Sequence, residues 1–280
     1  MAVEAALVVG MERVAERLWL LHLETTAIGK GVRAGRCVLM RCAEVDIPVW
    51  DPFLPRAYYV FGVDRAAGRL SLLVERRGRG SAWVCSRREG DHVLAHGPIG
   101  REIRPAKLTR HLLLMAEGTL GLAAVGLLAS DAAERGLSVT LVQNVGPEDA
   151  EVPPHLLPSD IEYRATTPAA GGLLGEFATL LAWADEVVIA ASAPLLNTAQ
   201  ALRRTRMAPF TLHSGLPVQA VPLPTWGTAG GGDLLPCGTG MCGACVVRTR
   251  ERARLFCLDG PAFPLEELRL EDHDEYTAAV

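Results

Sequence analysis

Apolar and polar positions divide this chain into stretches of different rhythm. Up to about residue 104 the apolar runs are short or alternating. They are RLWLLHLETT, RCVLMRCAEV, RAYYVFGVD, GRLSLLVERR and DHVLAHGPIG, separated by Gly, Pro and Asp. That spacing predicts short strands in a barrel or sandwich. From residue 109 the rhythm changes. RHLLLMA predicts a buried strand, and LGLAAVGLLASDAAERG predicts a helix closed by Arg135 and Gly136. LSVTLVQNV and DEVVIAASA predict further strands, LLGEFATLLAWA and LLNTAQALRRTR further helices. Strands alternating with helices predict a parallel α/β sheet. PLPTWGTAGGGDLLP, residues 222–236, reads as a linker, and a cysteine-rich segment follows it. The expected organisation is a β-domain over 1–104, an α/β domain over 105–224 and a C-terminal segment over 225–280.

A length of 280 residues is enough for two domains or three small ones. Hydrophobic residues at 49% and charged residues at 21% suit a globular protein, and a net charge of −4 gives no reason to expect nucleic-acid binding. The start, MAVEAALVVGMERVAERL, carries Glu4 and Glu12 and has no basic region before its apolar run, so it does not read as a signal peptide. LLLMAEGTLGLAAVGLLAS, residues 112–130, has nearly the length of a membrane span, but Glu117 and three glycines interrupt it. A buried strand, a Gly turn and an apolar helix account for it. A cytoplasmic protein is therefore expected, whose seven cysteines do not form a disulfide framework. The acids from Glu266 to Glu275 read as a solvated face.

Four of the cysteines gather in PCGTGMCGACVVRTRERARLFCLDGPAF, with spacing C-x4-C-x2-C-x11-C. A zinc ribbon needs two short knuckles, and only Cys242 and Cys245 make one. The run Cys237, Cys242, Cys245 and Cys257 instead has the plant-type spacing for a [2Fe–2S] cluster. Four thiolates, two per iron, stabilise ferric iron. Gly238, Gly240 and Gly243 remove side chains where the loop must wrap closely and aim backbone N–H groups at sulfur. Val246–Val247 and Leu255–Phe256 read as a hairpin leading back to Cys257. Zinc or four buried structural thiols is the competing reading. Cys37, Cys42 and Cys85 read as small core residues, with Cys37 and Cys42 on opposite faces of one strand.

The ending CGTGMCGACVVRTRERARLFCLDGPAF resembles that of the electron-transfer subunit of the iron–sulfur class of dihydroorotate dehydrogenase, and the likeness covers nearly the whole chain. The resemblance implies a ferredoxin reductase-like FAD-binding β-barrel, a Rossmann-like NAD-binding α/β domain and a small C-terminal [2Fe–2S] segment. AGRCVLMR resembles the strand near the flavin. LPRAYYV resembles the Arg-x-Tyr-Ser flavin motif, carried here by Arg56, Ala57, Tyr58 and Tyr59, with Tyr59 where the family often has Ser. Arg56 would hold the FAD pyrophosphate through its fork of donors, and Tyr58 would lie against the isoalloxazine. RRGRGSAWV resembles the second FAD motif, in which Gly78 and Gly80 let the backbone approach the pyrophosphate and Ser81 donates to it. Nine Arg against four acids between residues 65 and 104 suit an anionic cofactor. HGPIG resembles the turn that closes the barrel.

For NAD the resemblance leaves the matter open. The family's glycine-rich first turn is AEGTLG here: Gly118 and Gly121 remain, but Glu117 sets a carboxylate where a pyrophosphate would come. Its Cys-Gly-Pro is Ser192-Ala193-Pro194, and its Asp-Gly-Ser is TPAAGG. The resemblance implies that electrons from a catalytic, FMN-containing subunit oxidising dihydroorotate pass through the cluster and FAD to NAD, in a heterotetramer of two such subunits and two of this chain. No side chain is needed as a general acid or base. Two other readings stand beside it. One is a reductase subunit serving another oxidoreductase, such as a hydrogenase. The other is a non-enzymatic scaffold with a degraded NAD site.

Overall fold

The computed structural model describes residues 1–46, 52–170, 172–173, 175, 180–204, 216–223 and 235–270. Six strands close into an antiparallel barrel: β1 (Ala2–Ala15), β2 (Leu18–Glu24), β3 (Cys37–Met40), β4 (Arg56–Asp64), β5 (Arg69–Glu75) and β6 (His92–Ile99), in the order β1-β2-β5-β4-β3-β6. Closure depends on the long first strand. Ala2 to Leu7 pair with Gly97 to His92 of β6, and Leu7 to Ala15 pair with Glu24 to Leu18 of β2. A register shift between Val8 and Gly10 lets the strand bend from one neighbour to the other, the work a β-bulge does in closed sheets. In β6, Val93, Ala95 and Ile99 are buried while His92, Leu94 and His96 are less so, which is the period-2 alternation of a strand with one face on a core.

The second unit is a six-stranded sheet in which β14 (Phe263–Pro264) is one edge, with the order β14-β11-β10-β7-β8-β9. Its parallel part comprises β7 (His111–Glu117), β8 (Ser138–Asn144), β9 (Glu162–Thr166), β10 (Glu186–Ala191) and β11 (Val218–Pro222). The chain runs outward from β7 through β8 to β9, then returns to the other side of β7 as β10. The reversal makes a switch point between the carboxyl ends of β7 and β10, where such sheets open a crevice. The apolar stretch 112–130 divides into β7 and the helix α3 (Gly118–Glu134), numbered after the short helices α1 (Ile28–Gly31) and α2 (Arg79–Val84). No helix among the described residues is long and apolar enough to cross a membrane.

Helix α3 is buried nearly all round because it lies between the sheet and the barrel. A Cβ at Gly126 would sit 2.4 Å from Phe61 Cδ2 of β4, and buried Asp131 accepts from Arg65 at 3.0 and 3.1 Å. One apolar core runs from the barrel through α3 to one face of the sheet. A second core lies on the other face, under α4 (Ala193–Arg204). Phe263, Leu265, Leu268 and Leu270 belong to that second core, and β14 (Phe263–Pro264) pairs antiparallel with β11. The end of the cysteine segment is thus built into the α/β sheet. Most of the linker at 222–236, five of the twelve positions of the predicted helix LLGEFATLLAWA, the end of LLNTAQALRRTR and the acidic positions beyond 270 lie outside the described residues.

Candidate electron-transfer site

The four cysteines of the C-terminal segment come together in two pairs. Cys237 Sγ lies 3.1 Å from Cys242 Sγ, and Cys245 Sγ lies 3.4 Å from Cys257 Sγ. All four are free thiols. Two thiolates on one tetrahedral metal, with bonds of about 2.3 Å as for zinc, sit roughly 3.7 Å apart, so each pair would need to open by less than about 1 Å to share one ion. Among the described residues no three Cys, His, Asp or Glu side chains converge to hold a single metal ion. Thiols gathered two and two match the ligand set of a binuclear cluster, two per iron.

The local chain explains the pairing. Gly238, Gly240 and Gly243 take positive φ of 66°, 81° and 67°, which turns the loop back on itself. Thr239 N–H donates to Cys237 Sγ at 3.4 Å, and Gly240 N–H points at the Cys257 sulfur. β12 (Val246–Arg248) and β13 (Ala253–Leu255) form the expected hairpin, with Val246 opposite Leu255. Phe256 N–H then donates to the Cys245 carbonyl at 2.8 Å, and this brings Cys257 back beside Cys245. The two pairs differ in exposure: Cys245 and Cys257 are 6% and 3% exposed, Cys237 is half-buried and Cys242 is exposed. At Cys237, desolvation raises the pKa, but the hydrogen bonds with Thr239 and Cys242 together outweigh it and bring the thiol to about 6. Burial, and the neighbouring Cys245, push Cys257 up to about 12.

The cage rests directly on the barrel. A Cβ at Gly238 would lie 2.4 Å from Ile99 Cδ1 and 3.2 Å from Leu39 Cδ1. Gly100 N–H donates to the Cys257 carbonyl at 3.2 Å, and Arg101 donates from its backbone to Gly260 at 2.6 Å and from Nε to Leu258 at 2.8 Å. Cys37 of β3, which sequence reasoning treated as core filling, is fully buried beside the inner pair. Desolvation, and then Cys257 and Cys245, raise its pKa to about 12. Cys37 pairs with Tyr59 across to β4, where the Arg56–Tyr59 motif lies. Strand β3 therefore separates the cysteine cage from the motif read as the flavin site. Closure of the barrel creates this adjacency, and nothing local in the sequence signals it.

Arg56 and Tyr58 lie together on β4. Cys42 hydrogen-bonds Tyr58, and Cys85 is close by. Cys37 and Cys42 thus have different surroundings, the cage for one and the Arg56–Tyr58 pair for the other. Arg56 donates to the Leu54 carbonyl at 2.6 Å, and its Cγ would be 2.9 Å from a Cβ on Gly80, so only glycine leaves Arg56 in place. At Gly78 a Cβ would meet nothing within 4 Å. Gly78 also lines a cavity of about 410 Å³ carrying Arg13, Arg17, Arg76 and Arg77 with one acid, Glu16, and Trp19. Open backbone beside a basic cavity fits an anionic cofactor. The Ser81 hydroxyl accepts from Arg77 and Gly78 N–H at 2.9 and 3.0 Å and donates to the Gly78 carbonyl at 3.1 Å, which holds the turn. Ala57 is half-buried between Arg56 and Tyr58. Tyr59 Oη is buried without a hydrogen-bond partner.

Gly118 and Gly121 begin α3 at the switch point. Gly121 packs on backbone, a Cβ there lying 2.7 Å from the Ala190 carbonyl oxygen. Gly118, at φ 62°, has the Asp149 carboxylate over it, 2.8 Å from where a Cβ would be. Glu117 Oε2 accepts from Ser192 N–H at 2.6 Å.

Fold and cage together define a ferredoxin reductase-like chain with an iron–sulfur cluster-binding segment. Residues 233–269 match the family described as the iron–sulfur cluster binding domain of dihydroorotate dehydrogenase B. The chain is 25% identical over 276 residues to the dihydroorotate dehydrogenase B (NAD(+)) electron transfer subunit of Geobacillus thermodenitrificans, covering 95% of this chain and 98% of that one. It is 25% identical to an electron transfer subunit homolog of Aquifex aeolicus, over 79% of this chain and 81% of the relative. Among solved structures it superposes on an NADH-dependent reduced ferredoxin-NADP oxidoreductase with TM-score 0.73 and 19% identity, covering 99% and 94% of the two chains. Phthalate dioxygenase reductase gives TM-score 0.58 and 18% identity over 81% and 70%. The resemblance carried by the motifs, to electron-transfer subunits of dihydroorotate dehydrogenase, therefore holds along the chain.

Proposed function

We propose that this chain is the electron-transfer subunit of an oxidoreductase and holds a [2Fe–2S] cluster and FAD. The observation that carries the reading is the pairing of four thiols, two and two, on a surface that β3 alone separates from the Arg56–Tyr59 motif. Cys237 and Cys242 would hold one iron, Cys245 and Cys257 the other. Arg56 and the open backbone at Gly78 and Gly80 would take the FAD pyrophosphate, and Tyr58 would face the ring. When bound, the cluster handles single electrons and the flavin handles pairs, so the chemistry belongs to the cofactors.

The protein's own contribution is placement. Buried Cys245 and Cys257 keep water from the side that faces the barrel. Exposed Cys242 and Met241, the latter 89% exposed, set the other side toward solvent. The partner would dock there, over Thr239 to Ala244. The relatives' names support a catalytic dihydroorotate dehydrogenase subunit as that partner; an FMN in that subunit and a role in pyrimidine biosynthesis belong to the proposal. The domain boundaries at 104/105 and 224/225 and the heterotetramer belong to the same proposal. Co-expression with a catalytic dihydroorotate dehydrogenase subunit tests it. A stable complex that dihydroorotate bleaches anaerobically is expected. A coloured chain that binds no such subunit would leave a reductase for another partner.

A further inference from the structure

In a parallel sheet the crevice at the switch point, facing a helix N-terminus, is where a dinucleotide pyrophosphate sits. Here that crevice lies between the ends of β7 and β10, before α3. Two carboxylates of the chain occupy it. Glu117, the last residue of β7, crosses to accept the N–H of Ser192, the first residue after β10, at 2.6 Å. This hydrogen bond ties the two strand ends together. From the other side Asp149, in the loop after β8, sits over Gly118 with both oxygens 2.8 Å from where a Cβ would stand.

Asp149 is held in place. It accepts from Gly146 N–H at 3.0 Å and pairs with Arg77 of the barrel, which also pairs with Glu75 at 2.8 Å. Its neighbour Glu148 pairs with Arg17 at 3.1 Å. The loop after β8 is thereby fastened to the barrel by two ion pairs. Removing Asp149 from Gly118 would break one of them. A pyrophosphate entering this turn would meet two carboxylates of its own sign where backbone N–H groups should receive it. The residues present do not fit a nicotinamide dinucleotide.

We infer that this chain supplies its own anions to the dinucleotide crevice, Glu117 and Asp149, and that NAD(H) and NADP(H) are not its electron partners. The α/β domain then serves to carry α3 and β14, which hold the barrel and the cysteine segment. The inference rests on the reading of the chain as a flavin and iron–sulfur carrier, and it separates the chain from relatives whose names include NAD(+).

Titration calorimetry of the full chain, purified anaerobically, with NADH and with NADPH tests it. No binding at millimolar nucleotide is expected, together with no bleaching by either nucleotide where dithionite bleaches fully. Micromolar binding, or bleaching by NADH, would overturn it and leave the electron-carrier reading standing. A chain without colour would sink the carrier reading, and with it the inference about electron partners, whatever nucleotide does. The double variant Glu117→Gln/Asp149→Asn keeps the shapes and removes both charges. It should gain nucleotide affinity by about tenfold or more. A variant that melts as the wild type does and gains nothing would overturn the carboxylates as the cause.

Discussion

The cysteine loop and the turn that starts α3 are both built on glycine, and Gly243 in the one and Gly118 in the other put it to opposite uses. A Cβ at Gly243 would meet nothing within 4 Å, and Gly78 in the barrel is equally open. At Gly118 the same atom would run into a carboxylate of the chain at 2.8 Å. The first two positions are open, one beside thiols and the other beside arginines. The third is filled by the chain itself. A shared fold therefore says where cofactors can bind, and the charge and space at each turn decide which of those places is used.

The largest effect expected from breaking this contrast is at the inner thiol pair. Cys257→Ser should remove nearly all iron, read by metal analysis, and lower the melting temperature because metal binding and local folding are coupled. Retention of wild-type iron would contradict the assignment of ligands.

Glycine replacements sharpen the comparison. Gly238→Ala meets both a positive φ and Ile99, at a cost of roughly 1–3 kcal/mol, and should lower iron content and melting temperature together. Gly121→Ala pushes against the Ala190 carbonyl and should lower melting temperature by a similar amount with iron per folded chain unchanged. If both variants lose iron alike, the two turns are not independent.

Arg56→Ala should weaken flavin retention by about tenfold or more on gel filtration, as loss of a charge-assisted hydrogen bond of roughly 1.5–3 kcal/mol implies. Unchanged flavin content would remove Arg56 from the site.

The smallest effect concerns the barrel alone. Glu4 accepts N–H groups of Thr26, Ala27 and Ile28. Burial opposes the charged form, but these bonds and the Thr26 hydroxyl outweigh it, and its carboxyl lies below the ordinary 4.5. A carboxyl lowered on folding stabilises above 4.5, and that contribution is lost as pH falls through the lowered value. Glu4→Gln should cost about 1 kcal/mol near neutrality. Its melting curve should converge with wild type in acid, and a gap that stayed constant with pH would contradict this.

The sequence is informative where chemistry and spacing coincide within a short segment. The C-x4-C-x2-C run and its glycines predicted that the thiols would gather, because residues on one loop share local geometry. The apolar run at 112–130 resolved into a strand and helix because Glu117 and Gly118 lie at the junction. Contacts made by closure were hidden. Cys37 looked like core filling, because only pairing of β3 with β6 and docking of the C-terminal segment bring it to Cys257. Asp149 carried no motif, since its position over Gly118 depends on the loop after β8. The edge strands β9 and β14 also escaped notice. β9 exposes Glu162 and Arg164, and β14 is two residues long, so neither shows a clear apolar rhythm.

Metal and sulfide analysis of the anaerobically isolated chain, with electron paramagnetic resonance after dithionite reduction, tests the central claim most directly. The account predicts about two irons and two acid-labile sulfides per chain, and a resonance from a reduced binuclear iron centre. One zinc per chain, or thiols free of any metal, would contradict it.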